Sequence, residues 1–177
     1  MKKANSQQFK YISPTQISDG STLLHLRPIE PNDAKQALSF RDKLSDESIK
    51  DRFLGYIPTP TQDLIHRLTQ VDTSKEQAIV AEIQNSKHND IIAIARIAKD
   101  EDKAADFAII IGDDWQGKGL GILMTEYMIQ LAKQMGFEKI HALVYSTNLN
   151  MLDILKEFGF HLKVEDNTTT YAELSLI

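Results

Sequence analysis

The sequence predicts a single α/β domain in which helices cover a central sheet on both faces. The predicted elements follow the order β-ααα-βββ-α-β-α-ββ, with no repeat, linker or low-complexity tract dividing the chain. Three consecutive strand segments are more apolar than a strand with one solvated face. The length of 177 residues is enough for one domain with its own hydrophobic core.

The first predicted elements are one strand and three helices. Residues 1–18 show little periodicity and are expected to form a loosely ordered lead-in, which leaves residues 19–177 as the folded domain. Alternation over Thr22–Arg27 predicts a strand that stops at Pro28. Three helices are predicted next, over residues 32–44, 46–54 and 61–70.

The later elements begin with three strands and then alternate between helix and strand. Segments rich in Ile, Val and Ala predict the strands, over residues 77–83, 91–98 and 105–111. The clearest helix covers Leu120–Met135, where apolar residues recur at helical spacing, and Gly136 is expected to end it. The chain is completed by a strand over residues 139–145, a helix over 148–158 and two strands within 160–176.

Composition argues against several classes of protein. The net charge is −5 and the basic residues are scattered, so a nucleic-acid-binding surface is not expected. No apolar run is long enough to span a membrane, and the amino terminus lacks the apolar core of a signal peptide. The absence of cysteine excludes disulfides and thiolate metal sites and favours a cytoplasmic location. The histidines have no metal-binding spacing, so no metal is expected.

A glycine-rich turn stands between an apolar strand and the clearest helix, in the stretch DDWQGKGLGILM (residues 113–124). Its three glycines let the backbone approach a ligand, and the free N–H groups and dipole of a helix start attract phosphate. The turn is therefore either an anion-binding cradle or a connector whose glycines only relieve crowding. A P-loop would need Ser or Thr after Gly117-Lys118, and a dinucleotide fingerprint would need its third glycine one residue later, so neither motif fits.

The residues from Gln116 to Gly121 form the pattern Q-x-x-G-x-G. This pattern resembles the acyl-CoA signature of the GNAT superfamily of N-acetyltransferases, and NLNMLDILKEFGF (residues 148–160) resembles a later block of that family. The resemblance implies acetyl-CoA as cosubstrate, bound without a metal, and a mixed, mostly antiparallel sheet of about six to seven strands flanked by helices. It implies coenzyme contacts at Ile109, Ile110, Ile111, Gln116, Gly117, Lys118, Gly119, Leu120, Gly121 and Asn148.

A closer resemblance covers most of the chain, from about residue 17 to residue 160. The blocks ISDGSTLLHLRPIEPNDA, LSDESIKDRF, LTQVDTSKEQAIVAE and ADFAIIIGDDWQGKGLG resemble, in this order, the acetyltransferase domain of bacterial protein-lysine acetyltransferases that modify acyl-CoA synthetases. The resemblance implies direct acetyl transfer to a protein lysine, by a monomer or a homodimer. A small amine or a peptide N-terminus is the alternative acceptor, and a coenzyme-binding module without turnover is the alternative function.

Asp106 is the candidate catalytic residue. A lysine ammonium has a pKa of about 10.4, so acetyl transfer at neutral pH needs a base or a proton relay. The family carries a glutamate at the start of the strand before the glycine turn, and this chain has the shorter Asp106 there. Because Asp106 lies within the apolar run AADFAIII, it is alternatively a solvated strand end or part of a structural ion pair. The general-acid tyrosine of many GNAT enzymes corresponds to Leu155, so no side chain is assigned as the acid.

Three further residues have more than one interpretation. Asn148 can cap the helix that follows it as well as contact the coenzyme. Lys118 can meet a phosphate of the coenzyme or face solvent. His141 lies on a strand next to the site and is expected to be packed and hydrogen-bonded.

Overall fold

The computed structural model describes residues 12–16, 23–56, 59–84, 89–101 and 103–177. Within these ranges one sheet contains the strands β1 (Ile12–Gln16), β2 (Leu23–Pro28), β3 (Glu76–Gln84), β4 (Asn89–Lys99), β5 (Ala104–Ile111), β6 (Lys139–Tyr145), β7 (His161–Val164) and β8 (Thr169–Ser175). The helices are α1 (Ala34–Asp42), α2 (Asp46–Phe53), α3 (Gln62–Thr69), α4 (Leu120–Gln134) and α5 (Leu149–Glu157). Short 3-10 helices, Pro31–Asp33 and Asp113–Trp115, precede α1 and the glycine turn.

The strands follow the order β1-β2-β3-β4-β5-β6-β8-β7 across the sheet. All neighbouring strands are antiparallel except β5 and β6, which run parallel. The predicted mixed, mostly antiparallel sheet is therefore confirmed. From residue 22 onward, every strand and helix for which the sequence analysis gave a first and a last residue is present, and each end agrees to within two residues.

The amino-terminal strand β1 is the main difference from the prediction. The sequence analysis assigned Ile12–Gln16 to a loosely ordered lead-in, whereas these residues pair with β2 and raise the strand count to eight. The pairing register shifts between Ile12 and Thr15. An edge strand held by main-chain hydrogen bonds to one neighbour does not require regular alternation of its side chains, so no periodic signal marks it. The other residues of the predicted lead-in lie outside the described part of the chain.

Both faces of the sheet are covered, as the apolar strands predicted. On β3, Ile79 belongs to a large hydrophobic cluster formed with α4 and α5, and the next residue, Val80, belongs to a smaller cluster that includes Phe40 of α1. Helices α1, α2 and α3 lie on this second face. Because successive side chains of a strand point to opposite faces, a strand between two cores must be apolar throughout.

A buried ion network ties β2 and β3 to the start of α1. The guanidinium of Arg27 donates two hydrogen bonds to Asp33, of 2.7 and 2.8 Å, and two to Glu82, of 3.1 and 2.9 Å. Both carboxylate residues are only 6% exposed. Asn89 donates a further hydrogen bond of 3.0 Å to Glu82. Each buried charge therefore depends on Arg27 for its compensation.

Replacing Arg27 with methionine is expected to lower the free energy of unfolding by about 3–5 kcal/mol, because two buried carboxylates lose their counter-ion. Urea unfolding followed by circular dichroism measures the change. The control is Lys103→Met, which breaks an ion pair whose side chains, Lys103 and Glu138, are 59% and 43% exposed. An exposed pair contributes about 0–1 kcal/mol. An equal loss of unfolding free energy in the two variants would show that the buried network stabilises the fold no more than the exposed ion pair does.

Candidate active site and coenzyme cleft

The parallel strands β5 and β6 pair at one end and separate at the other. Ala104–Asp106 pairs with Lys139–His141, and no pairing continues beyond Asp106. The diverging strands, with α2, α5 and the glycine turn, enclose a cleft of about 670 Å³. This volume lies in the range of about 300–1,000 Å³ that is usual for ligand and cofactor sites. Phe107 is the first residue of β5 in the cleft wall, so Asp106 lies just outside the wall at the closed end, where the strands pair, and the glycine turn lies at the open end.

Two of the three glycines are required by backbone conformation. Gly117 has a φ of +70° and Gly119 a φ of +83°, in the left-handed region. A Cβ atom at either position would meet nothing within 4 Å, so crowding is not the reason for glycine. Gly119 is the N-cap of α4, and its carbonyl accepts a hydrogen bond of 3.1 Å from the amide of Leu123. In the described chain the amides of Gly117, Gly119 and the first turn of α4 have no acceptor, so these donors remain free for a ligand beside the cleft.

Gly121 serves a different purpose from the other two glycines. A Cβ atom there would lie 2.9 Å from Ile154 Cδ1 and 3.3 Å from Ile111 Cδ1. The residue is buried and lets α4 pack closely against α5 and β5. The two interpretations of the glycine turn are therefore divided between its residues: Gly121 relieves crowding, while Gly117 and Gly119 shape the exposed backbone.

Most of the residues predicted to contact the coenzyme surround this one cleft. The cleft is bordered by Ile109, Ile110, Ile111, Gln116, Gly117, Gly119, Gly121 and Asn148. Leu120 is not among them, because its side chain is buried in the large hydrophobic cluster. Lys118 also lies outside the cleft wall, and its Nζ atom is 4.8 Å from the centre of the Trp115 ring. Coenzyme contact by each of these residues stays a prediction.

The side chain of Gln116 braces the turn. Its Nε2 atom donates hydrogen bonds of 3.2 Å to the carbonyl of Ile111 and 3.0 Å to the hydroxyl of Ser48. Asp113 reinforces the same junction by accepting hydrogen bonds from the Ser45 amide (2.9 Å) and from the hydroxyls of Ser45 (2.7 Å) and Ser48 (2.8 Å). Burial opposes ionisation of Asp113, but these hydrogen bonds hold its pKa below the ordinary value. The start of α2 is thus fixed to the glycine turn.

Asn148 combines the two roles that the sequence left open. Its Oδ1 atom accepts a hydrogen bond of 3.1 Å from the Met151 amide and so caps α5, and its Nδ2 atom donates one of 2.9 Å to Asp51 on α2. Asn148 and Asp51 both border the cleft. Burial, with a contribution from the charge of Glu47, raises the pKa of Asp51. The second N–H of the Asn148 amide is available to a ligand in the cleft.

Asp106 lies on the same face of β5 as Ile110, the face covered by α1 to α3. Its side chain is 54% exposed, and its carboxylate is 3.9 Å from Nδ1 of His141. Burial of the carboxyl raises its pKa, and the charges of His141 and Arg52 partly offset this rise. A separation of 3.9 Å is too long for a hydrogen bond, so the contact is at most a loose ion pair, and the role of Asp106 stays a prediction.

His141 is packed, as expected, and the structure adds a connection that the sequence did not show. The imidazole stacks on Tyr171 with ring centres 5.5 Å apart, and its Nε2 atom lies 3.2 Å from Asp100. It therefore stands between Asp100 and Asp106. The sequence analysis missed this link because it depends on the parallel register that places Asp106 beside His141.

Leu155, the position that corresponds to the tyrosine of many GNAT enzymes, is fully buried in the large hydrophobic cluster. It offers no proton donor. In the described ranges, no three His, Asp or Glu side chains converge in a way that would hold a metal ion. No helix there combines the length and apolar character needed to cross a bilayer.

The fold, the cleft between diverging parallel strands and the glycine turn at its mouth define an acetyltransferase of the GNAT family. The family described as "Acetyltransferase (GNAT) domain" matches residues 24–161, and the chain belongs to it. The family predicted from the Q-x-x-G-x-G pattern is thereby confirmed.

Two relatives of known name match at the sequence level. The chain is 28% identical over 163 residues to Acetyltransferase PA5475 of Pseudomonas aeruginosa, which covers 90% of this chain and 87% of that protein. It is 29% identical over 148 residues to Acetyltransferase Pat of Mycolicibacterium smegmatis, which covers 82% of this chain and 43% of the relative. The chain thus corresponds to less than half of the length of Pat.

Solved structures share the fold. The GNAT domain of S. lividans PAT superposes with a TM-score of 0.80 at 23% identity, covering 92% of this chain and 96% of that domain. Spermidine N-acetyltransferase from Vibrio cholerae, in complex with CoA and spermine, superposes with a TM-score of 0.70 at 19% identity, covering 86% and 95%. At these identities the likeness establishes the single GNAT fold.

Proposed function

We propose that this acetyltransferase transfers the acetyl group of acetyl-CoA directly to the side chain of a protein lysine. The observation that supports the proposal is the cleft between β5 and β6, which has unpaired amides at its open end and Asp106 at its closed end. The sequence blocks that resemble bacterial protein-lysine acetyltransferases support lysine as the acceptor.

The backbone of β5 explains how such a coenzyme would be held. One edge of β5 pairs with β4 over its full length, but the other edge has no partner beyond Asp106. The main-chain donors and acceptors between Phe107 and Ile110 that face this free edge are available to the amides of the pantetheine arm, as a sheet edge is to an added strand. The diphosphate then reaches the amides of Gly117 to Gly121, where the dipole of α4 favours negative charge.

This orientation brings the thioester to the closed end of the cleft, beside Asp106. Asp106 takes a proton from the lysine ammonium, directly or through a water molecule, and the free amine attacks the thioester carbon. The C–N bond forms and the C–S bond breaks. The nitrogen passes its second proton to solvent as the amide forms, the thiolate of CoA takes up a proton from solvent, and Asp106 returns its proton to solvent. Holding both reactants in one cleft removes much of the entropic barrier to their encounter.

Incubation of the protein with isotope-labelled acetyl-CoA and a cell lysate tests the acceptor. A protein band labelled at lysine is expected, as read by gel and by mass spectrometry. Label confined to small molecules would replace lysine with the small-amine alternative. Tight binding of acetyl-CoA without any label transfer would favour the coenzyme-binding module. Two sequence features are the reason for considering a module without turnover: Asp106 stands in place of the family's glutamate, and Leu155 stands in place of its tyrosine.

Replacing His141 with glutamine is expected to move the acidic limb of the pH–rate profile to higher pH. A base acts in its ionised form, and the positive charge of His141 lowers the pKa of Asp106. Loss of that charge raises the pKa, so the base is fully ionised only at a higher pH. The profile of kcat/KM against pH measures the shift. His161→Gln, on the exposed strand β7, is the control, and an unmoved limb in His141→Gln would separate His141 from the base.

A further inference from the structure

Arg52 on α2 borders two spaces at once. It borders the coenzyme cleft between β5 and β6, and it borders a second cavity of about 80 Å³ between α1, α2, α3 and the sheet. Ile110 is the other residue that both spaces share. The guanidinium therefore stands at the junction of the two spaces, on the same face of the sheet as Asp106.

Arg52 is half-buried, and its guanidinium makes no hydrogen bond or close ion pair with any residue in the described part of the chain. Its recorded neighbour is the ring of Phe53, with the guanidinium carbon 5.0 Å from the ring centre. Desolvation lowers the pKa of Arg52; the charge of Asp106 opposes this effect and that of Arg96 adds to it.

Other arginines on this face of the sheet are fully engaged. Arg96 donates a hydrogen bond of 2.8 Å to Glu76 and another to the carbonyl of Leu68. Arg27 has its two carboxylates. A cation that is partly removed from water without a hydrogen-bonded partner is unfavourable. Arg52 is thus a site at which an anionic ligand would gain a ready counter-ion.

The second cavity limits what else the ligand contains. Apart from Arg41, Arg52 and Arg96, its wall consists of apolar side chains such as Phe40, Ile49 and Leu64. Its volume of about 80 Å³ equals the liquid volume of two to three water molecules, at ~30 Å³ each. A short carbon chain with a terminal charge fits this combination. A planar guanidinium matches a carboxylate in two-point geometry.

We propose that Arg52 binds a carboxylate carried by one of the two reactants at the closed end of the cleft. The carboxylate belongs either to the acyl group of a dicarboxylic acyl-CoA or to the acceptor, beside its amine. The acceptor source rests on the proposed function, whereas the acyl source depends only on coenzyme binding in the cleft.

Two binding experiments separate the sources, and neither requires turnover. Calorimetric titration compares succinyl-CoA with butyryl-CoA, which have four-carbon acyl groups with and without a terminal carboxylate. Fluorescence anisotropy of the CoA complex compares lysine peptides that have Glu or Gln beside the lysine. In one of the two pairs, the carboxylate ligand is expected to bind at least tenfold more tightly to the wild type.

Arg52→Gln should abolish that preference, and Arg52→Lys, which keeps the charge, should retain part of it. Arg41→Gln removes an equal charge from a residue that borders the second cavity but not the cleft, and it should keep the preference. Thermal melting of each variant verifies folding, and Arg52→Lys alone decides the matter if Arg52→Gln does not fold. The proposal is overturned if the wild type discriminates in neither pair, if the preference survives in Arg52→Gln, or if it is undiminished in Arg52→Lys. If no protein lysine is acetylated in the lysate, the proposed function fails, but the comparison of succinyl-CoA with butyryl-CoA still tests the role of Arg52.

Discussion

Replacing Asp106 with asparagine is expected to slow acetyl transfer by about 10²- to 10⁴-fold, the usual contribution of a general base, while acetyl-CoA binding stays at the wild-type level. The amide keeps the size of the side chain but cannot accept the proton of the amine. Asp106 lies at the closed end of the cleft, remote along β5 from the glycine turn, so contacts to the diphosphate are unchanged. Single-turnover rates and calorimetric titration with acetyl-CoA measure the two quantities.

Two matched variants sharpen this test. Asp114→Asn makes the same chemical change at an exposed residue outside the cleft wall and should leave the rate unchanged. Asp106→Glu introduces the longer carboxylate that the resembling lysine acetyltransferases carry at this position. Because it keeps a base, it should transfer acetyl faster than Asp106→Asn. A wild-type rate in Asp106→Asn would remove Asp106 from the mechanism.

Replacing Gly119 with valine is expected to weaken acetyl-CoA binding on the order of 100-fold. A β-branched residue is strongly disfavoured at a φ of +83°, so the turn must change its path and its amides lose their orientation. Losing two hydrogen bonds to a charged group, at about 1.5–3 kcal/mol each, corresponds to at least this factor. Calorimetric titration of the folded variant gives the dissociation constant.

The opposite end of helix α4 supplies the control for Gly119→Val. Gly136 has a φ of +82°, and a Cβ atom there would also meet nothing within 4 Å. Gly136→Val therefore imposes the same backbone strain in equally open surroundings, but far along the helix from the cleft. It should lower the melting temperature and leave coenzyme affinity intact. If both variants bind acetyl-CoA equally well, the amides of the turn do not hold the coenzyme.

Local patterns were sufficient to predict the regular elements of the fold. The helical spacing of apolar residues fixed α4, and continuous apolar runs fixed β3, β4 and β5, because burial on both faces imposes them. Strand β1 escaped prediction because main-chain pairing at a sheet edge requires no particular side chains. Sequence periodicity reports the burial of side chains, whereas main-chain pairing at a sheet edge sets no pattern in the sequence.

The candidate site was predictable in its backbone part and not in its long-range contacts. The glycine turn and the strand before it are local, so their spacing revealed them. The brace between Asp113 and Ser45 joins residues 68 positions apart, and the junction at Arg52 depends on how α2 lies across β5. An arginine in a polar helix such as DESIKDRF resembles any solvated cation. Only its placement beside two cavities distinguishes it.

The short parallel pairing of β5 and β6 also bears on the rigidity of the molecule. In the described part of the chain, β5 and β6 pair through three residue pairs, and the carbonyl of Lys103 adds hydrogen bonds from the amides of Glu138 and Lys139. These contacts join the half-sheet β1 to β5 to the half-sheet of β6, β7 and β8. In the proposed binding mode, a coenzyme along the free edge of β5 would lengthen this seam and support both halves of the sheet. Release of the product would then remove that support, so turnover and stiffness of the sheet would be coupled through the same ligand.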